Sequence, residues 1–152
     1  MAYEQLLHEL NRLQRRIYES YREYNTTQDN LGSQHLKDHF YQQAAQRKDY
    51  YETIRERIKA LDEIPEDVTR PFGDAADEIF TDLKTLFSSE DDRLILQEVK
   101  LTEQKLVRAY EQALEVSSVT PALREVLLEQ LEEVRRDYDA VAHELAKVEG
   151  RV

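Results

Sequence analysis

Apolar residues recur at alternating steps of three and four along four stretches of the chain, a spacing that is typical of helices packed at shallow angles. The longest stripe runs from Leu123 to Val148 and covers about seven helical turns on one face. A similar stripe joins Leu6 to Tyr24 near the start of the chain. Since such stripes are stable only against one another, the pattern predicts a bundle of long amphipathic helices.

Glycine and proline divide the sequence into helix-length blocks, because both residues interrupt helices. They occur only at Gly32, Pro65, Pro71, Gly73, Pro121 and Gly150. Another helix is expected to begin at Ser88 and Ser89, because serine hydroxyls followed by acidic residues are typical of a helix N-terminus. The predicted long helices cover 2–28, 33–62, 89–117 and 120–149, with a short connecting helix over 73–87.

The lengths of the connections predict the topology. The first and last connections are short, so each joins an antiparallel helix pair, whereas 62–88 is long enough to cross the bundle. We therefore predict one all-α domain over 1–152, a four-helix bundle of ferritin type whose long crossover contains a short fifth helix. A three-helix, spectrin-like repeat is the alternative, but it leaves two amphipathic segments without a place.

The charge of the chain argues against two classes of partner. Its formal net charge is -11 at pH 7, which opposes nucleic acids and anionic lipids, because these are bound through Lys and Arg contacts with phosphates. No stretch provides the roughly 18 apolar residues of a membrane span. The segment Met1–Gln5 does not open a continuous apolar run, so we expect a cytoplasmic location. The chain contains no Cys, which excludes disulfides and thiolate chemistry.

The middle two helices carry spaced patterns that resemble a group of bacterial proteins. These patterns are Leu36-Lys37-x-x-Phe40 with Ala44, Arg47, Tyr50 and Ile54, and Ile95-Leu96-x-Glu98 with Glu103 and Tyr110-x-x-Ala113-Leu114. They resemble the ferritin-like four-helix-bundle proteins that form a family of unknown function. The chain departs from that group at Thr102, where glycine is frequent, and at Tyr138, where histidine is frequent. The resemblance implies a fold and no established activity.

A search for metal and catalytic motifs gives no site. A di-iron bundle needs two Glu-x-x-His motifs, because this spacing directs both ligands to one face, and none of the four histidines has a glutamate three residues before it. A surface pair, Asp139 and His143, and a carboxylate set are the remaining metal candidates; the set comprises Glu19 or Glu23, Glu98 and Glu103. Phosphate-binding loops and nucleophile elbows are absent from the sequence. We assign no catalytic, cofactor-binding or metal-ligating residue.

Charged residues interrupt two of the apolar stripes near mid-helix, Arg47 in the second long helix and Glu103 in the third. We expect them to meet inside the bundle, with Tyr138 as the polar member of the last helix, because an unpaired charge in an apolar core is costly. The alternative is that both side chains extend past the stripe to water. The leading hypothesis is a non-enzymatic interaction or accessory protein with an unknown protein partner. An atypical carboxylate di-metal protein or oxidase, using iron or manganese, and a homodimeric structural subunit are its rivals.

Overall fold

The computed structural model describes residues 2–67 and 91–150 of the chain. Four long helices make up most of these residues: α1 (Ala2–Thr27), α2 (Gln34–Lys59), α3 (Asp92–Leu114) and α4 (Pro121–Val148), with a 3-10 turn over Gln28–Asn30. The described residues contain no strand, and the prediction of an all-α four-helix bundle is confirmed. The predicted short helix over 73–87 lies outside the described residues.

Side-chain caps determine where three of the helices begin. Ser33 accepts a hydrogen bond from the Leu36 amide at the start of α2, and Thr120 accepts one from Leu123 at the start of α4. The third helix begins at Asp92, three residues later than predicted, because the Asp91 carboxylate accepts from the Arg93 amide. A carboxylate at this position also interacts favourably with the helix dipole.

Contacts between the helices establish their directions. Ser20 of α1 bonds Glu103 of α3, Glu23 bonds Thr102, and the Gly32 amide beyond the end of α1 bonds Asp92. Residue numbers that rise on one helix and fall on the other make α1 and α3 antiparallel. The short turn makes α1 antiparallel to α2 as well, so α2 and α3 run in the same direction. The end of α2 and the start of α3 therefore lie at opposite ends of the bundle.

The first residues of this connection lie against α1 and α2. The Glu66 amide donates to Asn11 Oδ1 at 3.1 Å, and its carbonyl accepts from Arg55 Nη1 at 2.8 Å. Pro65 is buried beside them, which anchors the chain where it leaves α2. Among the helices of the described ranges, none is long and apolar enough to cross a membrane.

The apolar core consists of two clusters stacked along the bundle axis. The first includes Leu6 to Ile17, Ile54 and Ile58, Leu106 to Val116, and Leu123 to Val134. The second includes Tyr24 and Leu31, Leu36 to Ala44, Ile95 to Val99, and Val141 and Leu145. Between the two clusters, every helix contributes a polar residue to the interior. Most residues of the apolar stripes are buried as predicted, whereas Val148 at the end of the last stripe is 46% exposed.

Leu127 and Leu128 provide a matched test of the core on α4. Leu127 is fully buried and its neighbour is 42% exposed, so Leu127→Ala leaves a cavity whereas Leu128→Ala does not. We expect Leu127→Ala to lower the free energy of unfolding by about 2–5 kcal/mol, and Leu128→Ala by less than about 1 kcal/mol. Urea denaturation followed by circular dichroism measures both changes. Equal losses would place α4 in a different orientation.

Candidate functional site

One polar side chain from each helix lies between the two apolar clusters. These are Ser20 of α1, Arg47 of α2, Glu103 of α3 and Asp137 of α4; the first three have no exposed surface, and Asp137 is 7% exposed. Each occupies a step of the apolar stripe on its helix, which directs it to the interior. We call these four residues the buried polar layer.

The guanidinium of Arg47 is the centre of the buried polar layer. Its Nη2 lies 2.5 Å from Glu103 Oε2, and its Nη1 lies 3.0 Å from Asp137 Oδ2. Its Nε donates to Ser20 Oγ at 3.0 Å, and that hydroxyl donates to Glu103 Oε1 at 2.9 Å. Arg47 thus joins all four helices, because its planar fork of N–H donors can bond several partners at once.

Neighbouring side chains complete the surroundings of the guanidinium. Nη1 also donates to Gln46 Oε1. The rings of Tyr24 and Tyr50 lie 5.6 Å and 5.9 Å from Arg47 Cζ, within the range of cation–π attraction. Arg47 is therefore surrounded by groups that favour a positive charge, which offsets the cost of removing that charge from water.

The structure brings together two of the three residues expected in this layer. Arg47 and Glu103 are paired, but Tyr138 is only partly buried, and its hydroxyl accepts a hydrogen bond from Gln104 at the surface. The structure does not bring Tyr138 into the layer, and Asp137 lies at the interior position instead. Both residues fit the stripe, since Asp137 is three residues after Val134 and four before Val141. The acid takes the interior position because Arg47 offers it an ion pair, whereas the Tyr138 hydroxyl can remain hydrated.

In the layer, burial and the ion pairs shift the pKa values in opposite directions. Burial by itself lowers the pKa of Arg47, but Glu103, Tyr24 and Asp137 raise it above the ordinary value of arginine. Burial raises the pKa of Glu103 and of Asp137, and Arg47 opposes both shifts. Because arginine stays protonated, it cannot serve as a proton shuttle at this position. Arg47 is therefore suited to holding charge and not to transferring protons.

The family described as Domain of unknown function (DUF2383) matches residues 5–116. The chain belongs to this family. No curated protein and no solved structure shows significant similarity to the chain. The family match includes Ser20, Arg47 and Glu103 and ends before α4, so Asp137 is contributed by a helix beyond the matched residues. The description of the family names no activity.

A second buried acid, Glu23, lies on α1 next to the layer. It is 5% exposed, its Oε2 accepts a hydrogen bond from Thr102 at 2.9 Å, and its Oε1 has no hydrogen-bond partner among the residues that the structure describes. The pKa of Glu23 is raised to about 8: burial is the largest cause, the Thr102 hydroxyl opposes the shift, and the charges of Glu103, Glu98 and Glu19 add to it. Glu23 is therefore mostly protonated at neutral pH, and its burial was not predicted from the sequence.

The metal candidates of the sequence analysis were the carboxylates at Glu19, Glu23, Glu98 and Glu103, and the pair Asp139 and His143. Over 2–67 and 91–150, no three or more His, Asp or Glu side chains are arranged so that they could hold a metal ion. Three of the carboxylates instead bond neighbouring side chains: Glu103 bonds Arg47, Glu23 bonds Thr102, and Glu19 bonds Arg16. His143 is exposed on α4.

Removing Glu103 tests the energetic role of the ion pairs. We expect Glu103→Ala to lower the free energy of unfolding by about 3–5 kcal/mol, because Arg47 loses its closest anion while remaining buried. The triple variant Arg47→Met, Glu103→Leu, Asp137→Leu should recover much of this loss, since no charge is then left unpaired. Denaturant unfolding at pH 7 measures both. Losses below about 1 kcal/mol in the single variant would contradict a buried pair.

The raised pKa of Glu23 predicts a pH-dependent stability. Between its ordinary pKa of 4.5 and the folded value of about 8, the folded chain keeps a proton that the unfolded chain has released. The stabilisation that this protonated carboxyl provides is therefore complete below pH 4.5. It is lost as pH rises to 8, and the free energy of unfolding falls by up to about 1.4 kcal/mol per pH unit. The glutamine of Glu23→Gln cannot ionise, so this variant should not lose stability in this pH range for that reason.

The measurement is the free energy of unfolding of the wild type and of Glu23→Gln at several pH values from 4.5 to 9. The variant should gain stability relative to the wild type as pH rises to 8, and the difference should then level off. Glu52→Gln on the exposed side of α2 is the control and should show a constant difference. A constant difference for Glu23→Gln as well would mean that the carboxyl ionises normally in the folded chain.

Proposed function

We propose that this member of the family is a non-enzymatic, ferritin-like bundle that acts as an interaction or accessory protein in the cytoplasm. The observation that carries the proposal is the Arg47 guanidinium, bonded to Glu103 and Asp137 at the centre of the four helices. In metal-binding bundles, carboxylates from facing helices converge on a cation at this level. Here a side chain of the protein supplies the positive charge.

The hydrogen bonds of the layer support this interpretation. Glu103 uses one oxygen for Arg47 and the other for Ser20, and Asp137 Oδ2 is bonded to Arg47. A divalent metal could bind these carboxylates only by displacing a guanidinium that remains protonated at every physiological pH. The displaced charge would have to leave a position without exposed surface, at a cost of several kcal/mol if it stayed unpaired.

The ion pairs of the buried polar layer support a non-enzymatic role for it. The ionisable side chains of the layer are fully or nearly fully buried and bonded to one another, so a substrate would have to displace existing ion pairs. A general acid or base needs a hydrogen-bonding path to the proton that it transfers. The layer is better suited to holding four helices together than to turnover.

One observation favours the rival proposal of a carboxylate di-metal protein. Within 2–67 and 91–150, Glu23 Oε1 is buried without a hydrogen-bond partner, and the charges of Glu103, Glu98 and Glu19 are close enough to raise the pKa of Glu23. A metal ion would relieve this repulsion and would deprotonate Glu23. Such a site would depend on Glu23, which makes the two proposals experimentally distinct.

Metal analysis of the purified chain decides between them. After incubation with Fe²⁺ or Mn²⁺ without oxygen, followed by desalting, we expect less than roughly a tenth of a metal ion per chain. The ferritin-like di-metal alternative requires about two ions per chain. The variant Glu23→Gln is measured in parallel, because metal that is lost with this carboxylate would locate the site. About two equivalents in the wild type and none in Glu23→Gln would overturn the proposed function.

A further inference from the structure

A groove separates α2 from α4 on the outside of the bundle. The closely packed helix pairs are α1 with α2, α1 with α3, and α3 with α4, and the open fourth side forms a groove of about 600 Å³. Its walls are formed by Gln46, Asp49, Tyr50 and Thr53 on α2, and by Val126, Glu129, Gln130, Glu132, Glu133 and Arg136 on α4. This volume is within the range of binding pockets.

The charge of the groove is strongly negative. Four of its side chains are carboxylates and one is a cation, Arg136, which is bonded to Glu133 at 2.6 Å. Within the described part of the chain, the other carboxylates, Asp49, Glu129 and Glu132, have no ion pair. Burial raises the pKa of Tyr50 to about 12, with Glu133 as the next cause. Like charges on facing walls repel, so a bound cation would stabilise the groove.

The floor of the groove contains a hydrogen-bond donor that is not used. Gln130 is only 5% exposed, and its Oε1 accepts from the Tyr110 hydroxyl at 2.6 Å. This bond holds the amide in one orientation and leaves Nε2 without an acceptor among the described residues. The Nε2 amide is thus available to an acceptor on a ligand in the groove. A ligand that suits the groove therefore carries positive charge for the walls and an oxygen acceptor for the floor.

We propose that this groove binds a lysine- or arginine-bearing segment of a partner protein, and that a backbone carbonyl of this segment accepts a hydrogen bond from Gln130 Nε2. A polypeptide combines cationic side chains with carbonyl acceptors, whereas a polyamine or an inorganic cation lacks the carbonyl. The walls extend over 46–53 and 126–136, about 10–15 Å along the helices, enough for three to five extended residues. The net charge of -11 favours the approach of a basic partner. This inference rests on the proposed interaction role and supplies its surface.

The test uses a defined probe, a capped ten-residue peptide of lysine and alanine with a fluorescent label. Its affinity for the full chain is measured by anisotropy at about 0.15 M salt, where unspecific attraction between distant charges is screened. The groove variant is Asp49→Asn with Glu129→Gln. The control, Glu63→Gln with Glu115→Gln, removes the same charge at exposed positions outside the groove. Circular dichroism verifies that both variants fold.

We expect the groove variant to weaken peptide binding at least five-fold and the control less than two-fold. The side-chain amide resonance of Gln130 should shift when the peptide is added. Equal weakening in both variants, or an amide resonance that does not move, would overturn the inference. Spermidine is tested as a competitor, and competition at equal affinity would assign the groove to small polycations and overturn it too. Metal content, measured on the same samples, reports separately on the proposed function.

Discussion

The guanidinium of Arg47 is the interaction on which the rest of the bundle depends. It is the one group of the described structure that bonds a polar side chain from each of the other three helices. A charge without exposed surface is stable only when its partners are in place, so the layer forms only if all four helices are packed. The interaction therefore contributes more to the uniqueness of the fold than to its net stability.

Most of the fold could be predicted from the spacing of apolar residues, because a step of three or four residues returns to the same face of a helix. The stripes on α1 and α4 are nearly continuous, and the stripe residues of α1 from Leu6 to Ile17 are buried as expected. Helix ends were less predictable. The start of α3 depends on which of several neighbouring polar residues accepts the amide hydrogen bond, and Asp91 does so.

The buried charges could be predicted only where a stripe offers a single position. Arg47 and Glu103 each interrupt an otherwise apolar stripe, so the sequence indicated that both would lie inside. Asp137 and Tyr138 both fit the stripe of α4, and hydropathy alone favoured the tyrosine. Glu23 follows a different rule, because its burial results from its hydrogen bond with Thr102 where α1 and α3 approach each other. Such a pairing requires knowledge of which helices are neighbours.

The position of the polar layer between two apolar clusters has a consequence for helix register. Sliding α2 or α3 by one heptad along the bundle would move Arg47 or Glu103 into an apolar cluster and would bring an apolar side chain opposite the remaining charges; these side chains are Phe40, Ile54, Leu96 and Tyr110. Apolar stripes by themselves tolerate such slips, because one apolar level resembles the next. The charged level between the two clusters therefore disfavours the slipped alignments of α2 and α3. Arg47 therefore helps to set the register of the helices along the bundle axis.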